Sequence, residues 1–287
     1  MRLVKLSMSL CVFITGAVSA GYPVNASTEA LSAVLEQQPD SVKARYPHRN
    51  PHATLEFFDI KPEMVVVEAL PGSGWYSRIL AQYLGQHGVV IGAMYAHDML
   101  PLFGMFSDER LKELESWSDD WPLEARSWVP TDSAAFDAME FGSLPLSMHD
   151  SADAVLFIRA LHNLARFGEH RDYLSEALKD ALMLLKPGGT LGVVQHRAPS
   201  QAADGWSNGS NGYLKESFVI AAAQRAGFEF VNRSDHNSNK RDRPTEDDVV
   251  WRLPPTLAGS DGNSDRTSEM LAVGESDRMT LKFRKPL

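Results

Sequence analysis

Short apolar runs alternate with segments of helical periodicity along most of the chain. The apolar runs are the length of buried strands and rich in β-branched residues, and the intervening segments place apolar residues three and four positions apart. Strands are predicted at 64–67, 88–95, 152–163, 190–195, 228–231 and 279–284. Helices are predicted at 27–38, 51–58, 108–117, 173–185 and 215–226, and after the first strand. This alternation predicts an α/β protein with a mostly parallel sheet.

The stretch 99–150 is harder to interpret, because it is rich in tryptophan, acidic and small residues. A further strand is expected either at 127–129 or near Phe136. Its aromatic residues are better explained as core residues than as ligand-stacking residues.

A glycine turn joins the first predicted strand to its helix. Glu68 ends the strand, and the turn 71–74 leads into the helix. Glycines let a ligand approach the backbone closely, and the N-terminus of a helix attracts negatively charged groups. A dinucleotide-binding fingerprint has a third glycine where this chain has Leu70, so a plain strand-to-helix turn is an equally good interpretation.

The first 20 residues have the pattern of a secretory signal peptide. Arg2 and Lys5 precede the apolar run 6–18, and small residues at 18–20 suit cleavage, with a second possible site after Ala26. We therefore expect an exported, periplasmic protein without a stable membrane span; a retained signal anchor is the alternative. The single cysteine, Cys11, lies in this segment, so the mature chain would contain no thiol, which suits an oxidising compartment.

Composition and charge narrow the possible partners. A hydrophobic content of 44% with 23% charged residues is typical of a globular protein. Removal of residues 1–20, which contain two basic and no acidic residues, would change the formal net charge from −9 to −11. Such acidity without clustered cations argues against nucleic-acid binding. No metal is predicted, because Pro51 interrupts the helix that His48 and His52 would need to bind one together.

Beyond the signal peptide, the chain divides into a helical arm and one large domain. The arm covers 21–58, and Asn50 is expected to cap its last helix. Its basic segment 41–50 is interpreted as a solvated arm, slightly ahead of a lid over the glycine turn. The α/β domain covers 59–287, and its long polar segment 232–275 is expected to cover a site.

Several signatures together resemble class I S-adenosylmethionine-dependent methyltransferases, and more narrowly their exported subgroup with a Pro-Gly-x-Gly-Trp-Tyr loop. They are Glu-Ala-Leu-Pro-Gly-Ser-Gly-Trp-Tyr at 68–76, His-Asn at 162–163, Leu-Lys-Pro-Gly-Gly at 185–189, His-Arg at 196–197 and Gly-Glu-Ser-Asp-Arg-Met-Thr-Leu at 274–281. The resemblance extends from Ser41 to the C-terminus. It implies a Rossmann-like seven-stranded sheet, mostly parallel with an antiparallel last strand, and S-adenosylmethionine as the cofactor.

The implied fold gathers polar residues from separate strands at one edge of the sheet. Ligands bind at the carboxyl ends of parallel strands, and an antiparallel last strand brings 275–278 to the same edge. The predicted catalytic residues are His162, His196, Arg159 and Arg197. The predicted cofactor-binding residues are Glu68, Pro71, Gly72, Gly74, Trp75 and Tyr95. The predicted substrate-binding residues are Asn163, Tyr213, Asp277 and Arg278. The carboxylate that usually binds ribose after the second strand is replaced by Met94 or Tyr95, with Asp98 further on.

Each of these residues also has a plain structural alternative. His162 could cap a helix, Arg197 could pair with Asp277, and Glu68 could accept hydrogen bonds from the glycine turn. Taken together they favour a ligand site, because charges at several strand ends are costly unless they serve one another or a ligand.

The predicted function is methyl transfer to a small molecule or envelope component. A histidine of the pair 162 and 196 would act as general base, and an arginine of the pair 159 and 197 would hold an acidic acceptor. The alternative is a noncatalytic ligand-binding protein that has kept the fold, since a fold does not determine a function.

Overall fold

Seven strands form a single sheet in the order β3-β2-β1-β4-β5-β7-β6 in this computed structural model, which describes residues 26–287. The predicted signal peptide lies outside the described residues. The strands are β1 (Val65–Ala69), β2 (Val89–Met94), β3 (Ala135–Glu140), β4 (Ala152–Ile158), β5 (Leu185–His196), β6 (Glu229–Ser234) and β7 (Arg278–Arg284).

The pairing of the strands confirms the predicted fold class. All pairings among β1 to β5 are parallel, whereas β7 runs antiparallel to both β5 and β6. The carboxyl ends of β1, β2 and β4 therefore meet at one edge, and β7 begins beside the end of β5, where Arg278 pairs with His196.

Helices cover both faces of the sheet and the edge above it. They are α1 (Ala26–Glu36), α2 (Asp40–Lys43), α3 (Tyr46–Arg49), α4 (Pro51–Phe57), α5 (Trp75–Leu84), α6 (Asp108–Leu114), α7 (Trp117–Arg126), α8 (Leu161–Ala165), α9 (Tyr173–Leu184), α10 (Glu216–Ala226) and α11 (Ser264–Val273). Short 3₁₀ helices lie at His97–Phe103, Leu146–Met148 and Val250–Arg252.

The core consists of two apolar clusters, one on each face of the sheet. Side chains alternate between the faces along a strand, so Val66 packs with α1 and α5 on one side and Val67 packs with α9 on the other. Burial on both faces explains why β1 is a continuous apolar run.

Of the two positions expected for a further strand, the one near Phe136 is confirmed, since β3 spans Ala135–Glu140, whereas residues 127–129 follow the end of α7 and pack there. Two local predictions need correction. Asn50 does not cap α4 with its side chain, which instead donates a hydrogen bond to the His236 carbonyl. The segment 232–275 also has structure of its own, since it completes β6 and contains α11.

The basic segment of the arm is packed rather than solvated. Arg49 in α3 is buried, and Arg45 just before it is half-buried over the carboxyl edge of the sheet. The lid interpretation therefore replaces the slightly favoured solvated arm. Within residues 26–287, no helix combines the length and apolar character needed to cross a membrane.

Candidate functional site

The carboxyl ends of β1, β2 and β4 open into a cavity of about 500 Å³, hereafter the first cavity. This volume lies within the roughly 300–1,000 Å³ usual for small-molecule sites. Its polar lining comes from the glycine turn, from Glu68 and Tyr95 at strand ends, and from Arg45 and Arg49 of the arm. Its apolar lining includes Met94, Leu100, Phe106, Leu114 and Trp117.

The two predicted glycines of the turn have different roles. A Cβ atom on Gly74 would lie 2.2 Å from the Trp128 ring, so packing within the protein requires this glycine. A Cβ atom on Gly72, which lines the first cavity, would meet only the Leu70 carbonyl oxygen, at 3.9 Å. Ligand approach is therefore a role for Gly72 and not for Gly74.

Leu70 adopts a backbone conformation that normally favours glycine. Its φ angle is +55°, and its side chain is half-buried at the first cavity. For an L-residue this region costs about 1–2 kcal/mol. The turn thus keeps its left-handed geometry although its first glycine is absent, and backbone strain of this kind concentrates at functional sites.

Glu68 is a buried carboxyl group with little compensation. The Ser77 hydroxyl donates to its Oε2 atom at 2.6 Å, so the partner is a side chain of α5 and not the backbone of the turn. Burial raises the pKa of Glu68 to about 7, although the Ser77 hydrogen bond and the charges of Arg159 and Arg49 lower it. A cationic ligand group would favour the ionised form of this carboxyl.

The arm closes over the first cavity through one buried carboxylate, Glu275. Arg45 donates to its Oε1 atom, Arg49 Nε lies 3.5 Å from the same atom, and Arg278 Nη1 lies 3.1 Å from Oε2. Burial alone would raise the pKa of Glu275, but these three arginines outweigh it and lower that pKa. The Arg49 guanidinium also lies 4.5 Å from the centroid of the Trp75 ring, so Trp75 supports the lid as well as lining the cavity.

A second cavity of about 220 Å³ adjoins the first, and Arg159 and Asn163 line both. Its wall also includes His162, His196, Trp251, Pro254, Glu275 and Ser276. The residues from 250 to 256 belong to the polar segment 232–275. That segment therefore covers the second cavity. The sequence predicted that the segment covers a site but did not distinguish between the two cavities.

Both predicted histidines lie in this second cavity, with their ring centroids 5.3 Å apart. Gln195 Nε2 donates to the Gly212 carbonyl at 2.9 Å, which leaves Gln195 Oε1 to accept from His162 Nδ1 at 3.3 Å. His162 therefore carries its proton on Nδ1, and Nε2 is the acceptor atom. His196 Nδ1 lies 2.5 Å from Ser276 Oγ.

The two imidazoles are neutral at neutral pH. Burial lowers the pKa of His162 to about 4, and the Gln195 hydrogen bond only partly opposes it. Burial, His162 and Arg159 together hold the pKa of His196 well below its usual range. Each ring can therefore accept a proton or a hydrogen bond, but each is a weak base in this state.

Arg159 lies where the two cavities meet, and both its backbone angle and its side-chain contacts are unusual. It directly follows β4 with a φ angle of +60°, and its side chain forms no hydrogen bond or ion pair with any residue between 26 and 287. Burial lowers the pKa of Arg159 to about 10, helped by Arg278 and opposed by Glu275. The group remains a cation at neutral pH and has spare hydrogen-bond donors.

The remaining predicted residues serve one another rather than a cavity. Arg197 forms two hydrogen bonds with Asp277, at 2.9 and 3.0 Å, and lies 3.3 Å from Glu216. The Tyr213 hydroxyl donates to Asp242 at 3.0 Å and is buried. Because these groups are already compensated and line neither cavity, we do not retain Arg197, Asp277 or Tyr213 as ligand contacts. Arg278 is likewise held by Glu275 and the His48 carbonyl.

Sequence reasoning did not select several residues that the structure places at the cavities. Arg45 and Arg49 were visible only as part of a basic segment, and Trp251 is an aromatic residue within a polar one. The available signal was the basic segment itself, in which Lys43, Arg45, His48 and Arg49 lie close together. Between residues 26 and 287, no group of three or more His, Cys, Asp or Glu side chains is arranged to hold a metal ion.

No family model matches the sequence, and no curated protein matches it at a significant level. Solved structures do match. The [4+2]-cyclase SpnF has a TM-score of 0.50 and 17% identity over 84% of this chain and 81% of that chain. The arsenic(III) S-adenosylmethionine methyltransferase CrArsM from Chlamydomonas reinhardtii has a TM-score of 0.45 and 15% identity over 90% of this chain and 73% of that chain. A SAM-dependent methyltransferase from Aquifex aeolicus has a TM-score of 0.44 and 14% identity over 71% of this chain and 92% of that chain. At these identities, the similarity concerns the fold.

Proposed function

We propose that the protein transfers a methyl group from S-adenosylmethionine to a small molecule or envelope component. The supporting observation is the first cavity itself, which combines a buried carboxyl, Glu68, with arginines at the glycine turn of a methyltransferase-type sheet. The resemblance of the turn and the C-terminal signature to class I methyltransferases points the same way.

The lining of the first cavity fits the cofactor in charge and polarity. Glu68 would bind its ammonium group, and Arg49 would bind its carboxylate. The apolar wall with Phe106 and Trp117 suits a purine base. The ribose would rely on Tyr95 and on backbone groups, because Asp98 is paired with Arg171 at 2.9 Å.

The cofactor, when bound, supplies an electrophilic methyl group, so the protein needs no covalent nucleophile. Its own contribution would be alignment and exclusion of water. The arm, anchored on Glu275, closes one side, and the segment carrying Trp251 closes the other. His162 Nε2 would accept the proton that the acceptor's nucleophilic atom loses.

A noncatalytic ligand-binding protein is the second candidate. The observation that favours it is the low pKa of both histidines, which makes them poor general bases. Fold does not decide between the two, since a [4+2]-cyclase shares this architecture.

Calorimetric titration of the mature protein with S-adenosylmethionine and S-adenosylhomocysteine tests the proposed cofactor. We expect binding of both, weakened at least about tenfold by Glu68→Gln, because one charge-assisted hydrogen bond is worth that much. Asp98→Asn, an exposed change outside the cavity lining, is the matched control and should leave the affinity unchanged. The absence of both binding heat and thermal shift with millimolar ligand would refute the cofactor assignment.

We also propose export to the periplasm, on the strength of the N-terminal signal pattern. N-terminal sequencing of protein recovered from a periplasmic fraction should give a start at residue 21 or 27. Recovery of the uncleaved chain from the cytoplasm alone would contradict export.

A further inference from the structure

We propose that the second cavity binds a small anionic organic molecule whose carboxylate or phosphate is held by Arg159. Its role as methyl acceptor rests on the proposed function, whereas its binding does not.

Arg159 is the exception among the arginines of the site. Arg45, Arg49 and Arg278 share the carboxylate of Glu275, and Arg252 pairs with Asp242 at 2.9 Å. The half-buried side chain of Arg159 forms no such ion pair with residues 26–287, and Glu275 and Glu68 act on it only from a longer distance. Partial withdrawal of a charge from water without a contacting partner is costly, so the arrangement favours a partner that comes from outside the protein.

The surroundings of Arg159 carry an excess of positive charge. Four guanidinium groups, at positions 45, 49, 159 and 278, act on one another and on the single ionised carboxylate of Glu275. Glu68, with a pKa of about 7, compensates them only in part at neutral pH. The two histidines add no charge, because both are neutral. An anion is therefore the ligand that the local field favours.

The backbone conformation that places the Arg159 guanidinium between the two cavities is strained. Arg159 N donates to the Val194 carbonyl at 2.6 Å, which ties the turn after β4 to β5 while φ remains at +60°. A glycine would adopt this conformation without strain. A strained arginine at this position indicates a function for its side chain, which a glycine would lack.

The size and lining of the second cavity limit the ligand further. A volume of about 220 Å³ corresponds to about seven water volumes of roughly 30 Å³ each. Its lining combines the apolar side chains of Trp251, Leu253 and Pro254 with the polar groups of His196 and Ser276. A single ring or short chain with one anionic group matches this lining.

Benzoate, phenyl phosphate, benzamide and benzylamine serve as probes, titrated into the mature protein by calorimetry and followed by saturation-transfer NMR. We expect both anions to bind at least about tenfold more tightly than benzamide, and benzylamine to bind least, because hydrogen bonds to charged groups are the strong ones. The anion that binds more tightly shows whether the site prefers a carboxylate or a phosphate group.

Matched variants locate the site. Arg159→Gln should reduce the affinity for the anions at least about tenfold, and Arg159→Lys should retain part of it. Arg233→Gln, which changes an exposed arginine paired with Glu216, should leave the affinity unchanged. The folded state of each variant is checked by its thermal transition. Unchanged anion affinity in a folded Arg159→Gln variant, or preference for benzylamine, would overturn the proposal.

Repeating the benzoate titration with saturating S-adenosylhomocysteine separates the two cavities. Benzoate binding that persists supports an anion site distinct from the cofactor site, whereas its loss would mean that Arg159 serves the cofactor's carboxylate and would overturn the proposal. If S-adenosylhomocysteine itself fails to bind, the proposed function fails, while the titrations without it still decide on the anion site.

Discussion

Arg159 and Arg197 follow neighbouring strands at the same edge of the sheet but lie in opposite electrostatic surroundings. Arg197 is held by Asp277 and Glu216. Beside it, the buried group of Tyr213, Asp242 and Arg252, hereafter the buried network, is similarly complete. Arg159 lines two cavities, and its side chain forms no hydrogen bond or ion pair with the described residues.

Charge compensation separates structural from ligand-binding groups at this edge. Removing one member of a compensated group should cost stability, because its partner is left buried and unpaired. Uncompensated groups raise the free energy of the folded protein and are retained for what they bind.

Asp242→Ala should have the largest effect, because it leaves Arg252 and Tyr213 buried without their shared acceptor. We expect a loss of about 3–5 kcal/mol in the free energy of unfolding, measured by urea denaturation. The control Asp98→Ala removes an exposed partner of Arg171 and should cost less than about 1 kcal/mol. Equal effects of the two changes would contradict the importance of the buried network.

Glu68→Gln should increase stability above neutral pH. The pKa of Glu68 is raised to about 7 in the folded protein, so the folded state binds a proton more tightly than the unfolded state. Stability should therefore fall as the pH rises from about 4.5 to 7, by roughly 3 kcal/mol. The variant should lack this loss and match the wild type at pH 4.

Thermal transitions of the wild type and Glu68→Gln at pH 4, 6 and 8 provide the measurement for this pH dependence. Glu115→Gln changes an exposed residue and serves as control. A constant difference between Glu68→Gln and the wild type at all three values would show that Glu68 does not titrate as described.

Arg197→Gln should cost about 1.5–3 kcal/mol of stability through its lost hydrogen bonds to Asp277, while leaving benzoate affinity unchanged. Arg159→Gln should show the reverse, with no loss of stability and weaker benzoate binding. Urea denaturation and calorimetry of both variants compare the two regions directly. If both variants lost stability, the proposed difference between Arg159 as a ligand-binding residue and Arg197 as a structural residue would be contradicted.

Leu70→Gly should have the smallest effect on stability. Relief of the positive φ angle favours the variant, while loss of the half-buried leucine side chain opposes it, so the change should remain within about 1 kcal/mol. Gly74→Ala is the informative comparison, because its Cβ would collide with Trp128 and should destabilise the protein clearly. If Gly74→Ala changed the stability as little as Leu70→Gly, the close contact between position 74 and the Trp128 ring would be contradicted.

Much of the fold was predictable from the sequence, because β1, β2, β4 and the second half of β5, residues 191–196, are buried and rich in apolar residues. β3 was located only approximately, since it is an edge strand with several exposed positions that give no such run.

The candidate site was predictable only in part. The strand-end rule brought Glu68, Arg159 and the two histidines to the cavities, but for Arg197 it left a ligand contact and a pair with Asp277 both open. The hydrogen bonds with Asp277, which is 80 residues from Arg197 in sequence, confirm the pair. The lid was only the second interpretation of the basic segment, because its anchor is Glu275, 230 residues beyond Arg45.

That separation has a consequence for how the protein becomes competent to bind. Glu275 joins the arm at the start of the described chain to the residues that precede β7, the last of the seven strands. A nascent chain can form the glycine turn early, but its lid has no anchor until Glu275 has been synthesised. The lid can therefore close only after more than two hundred further residues have followed the arm out of the ribosome.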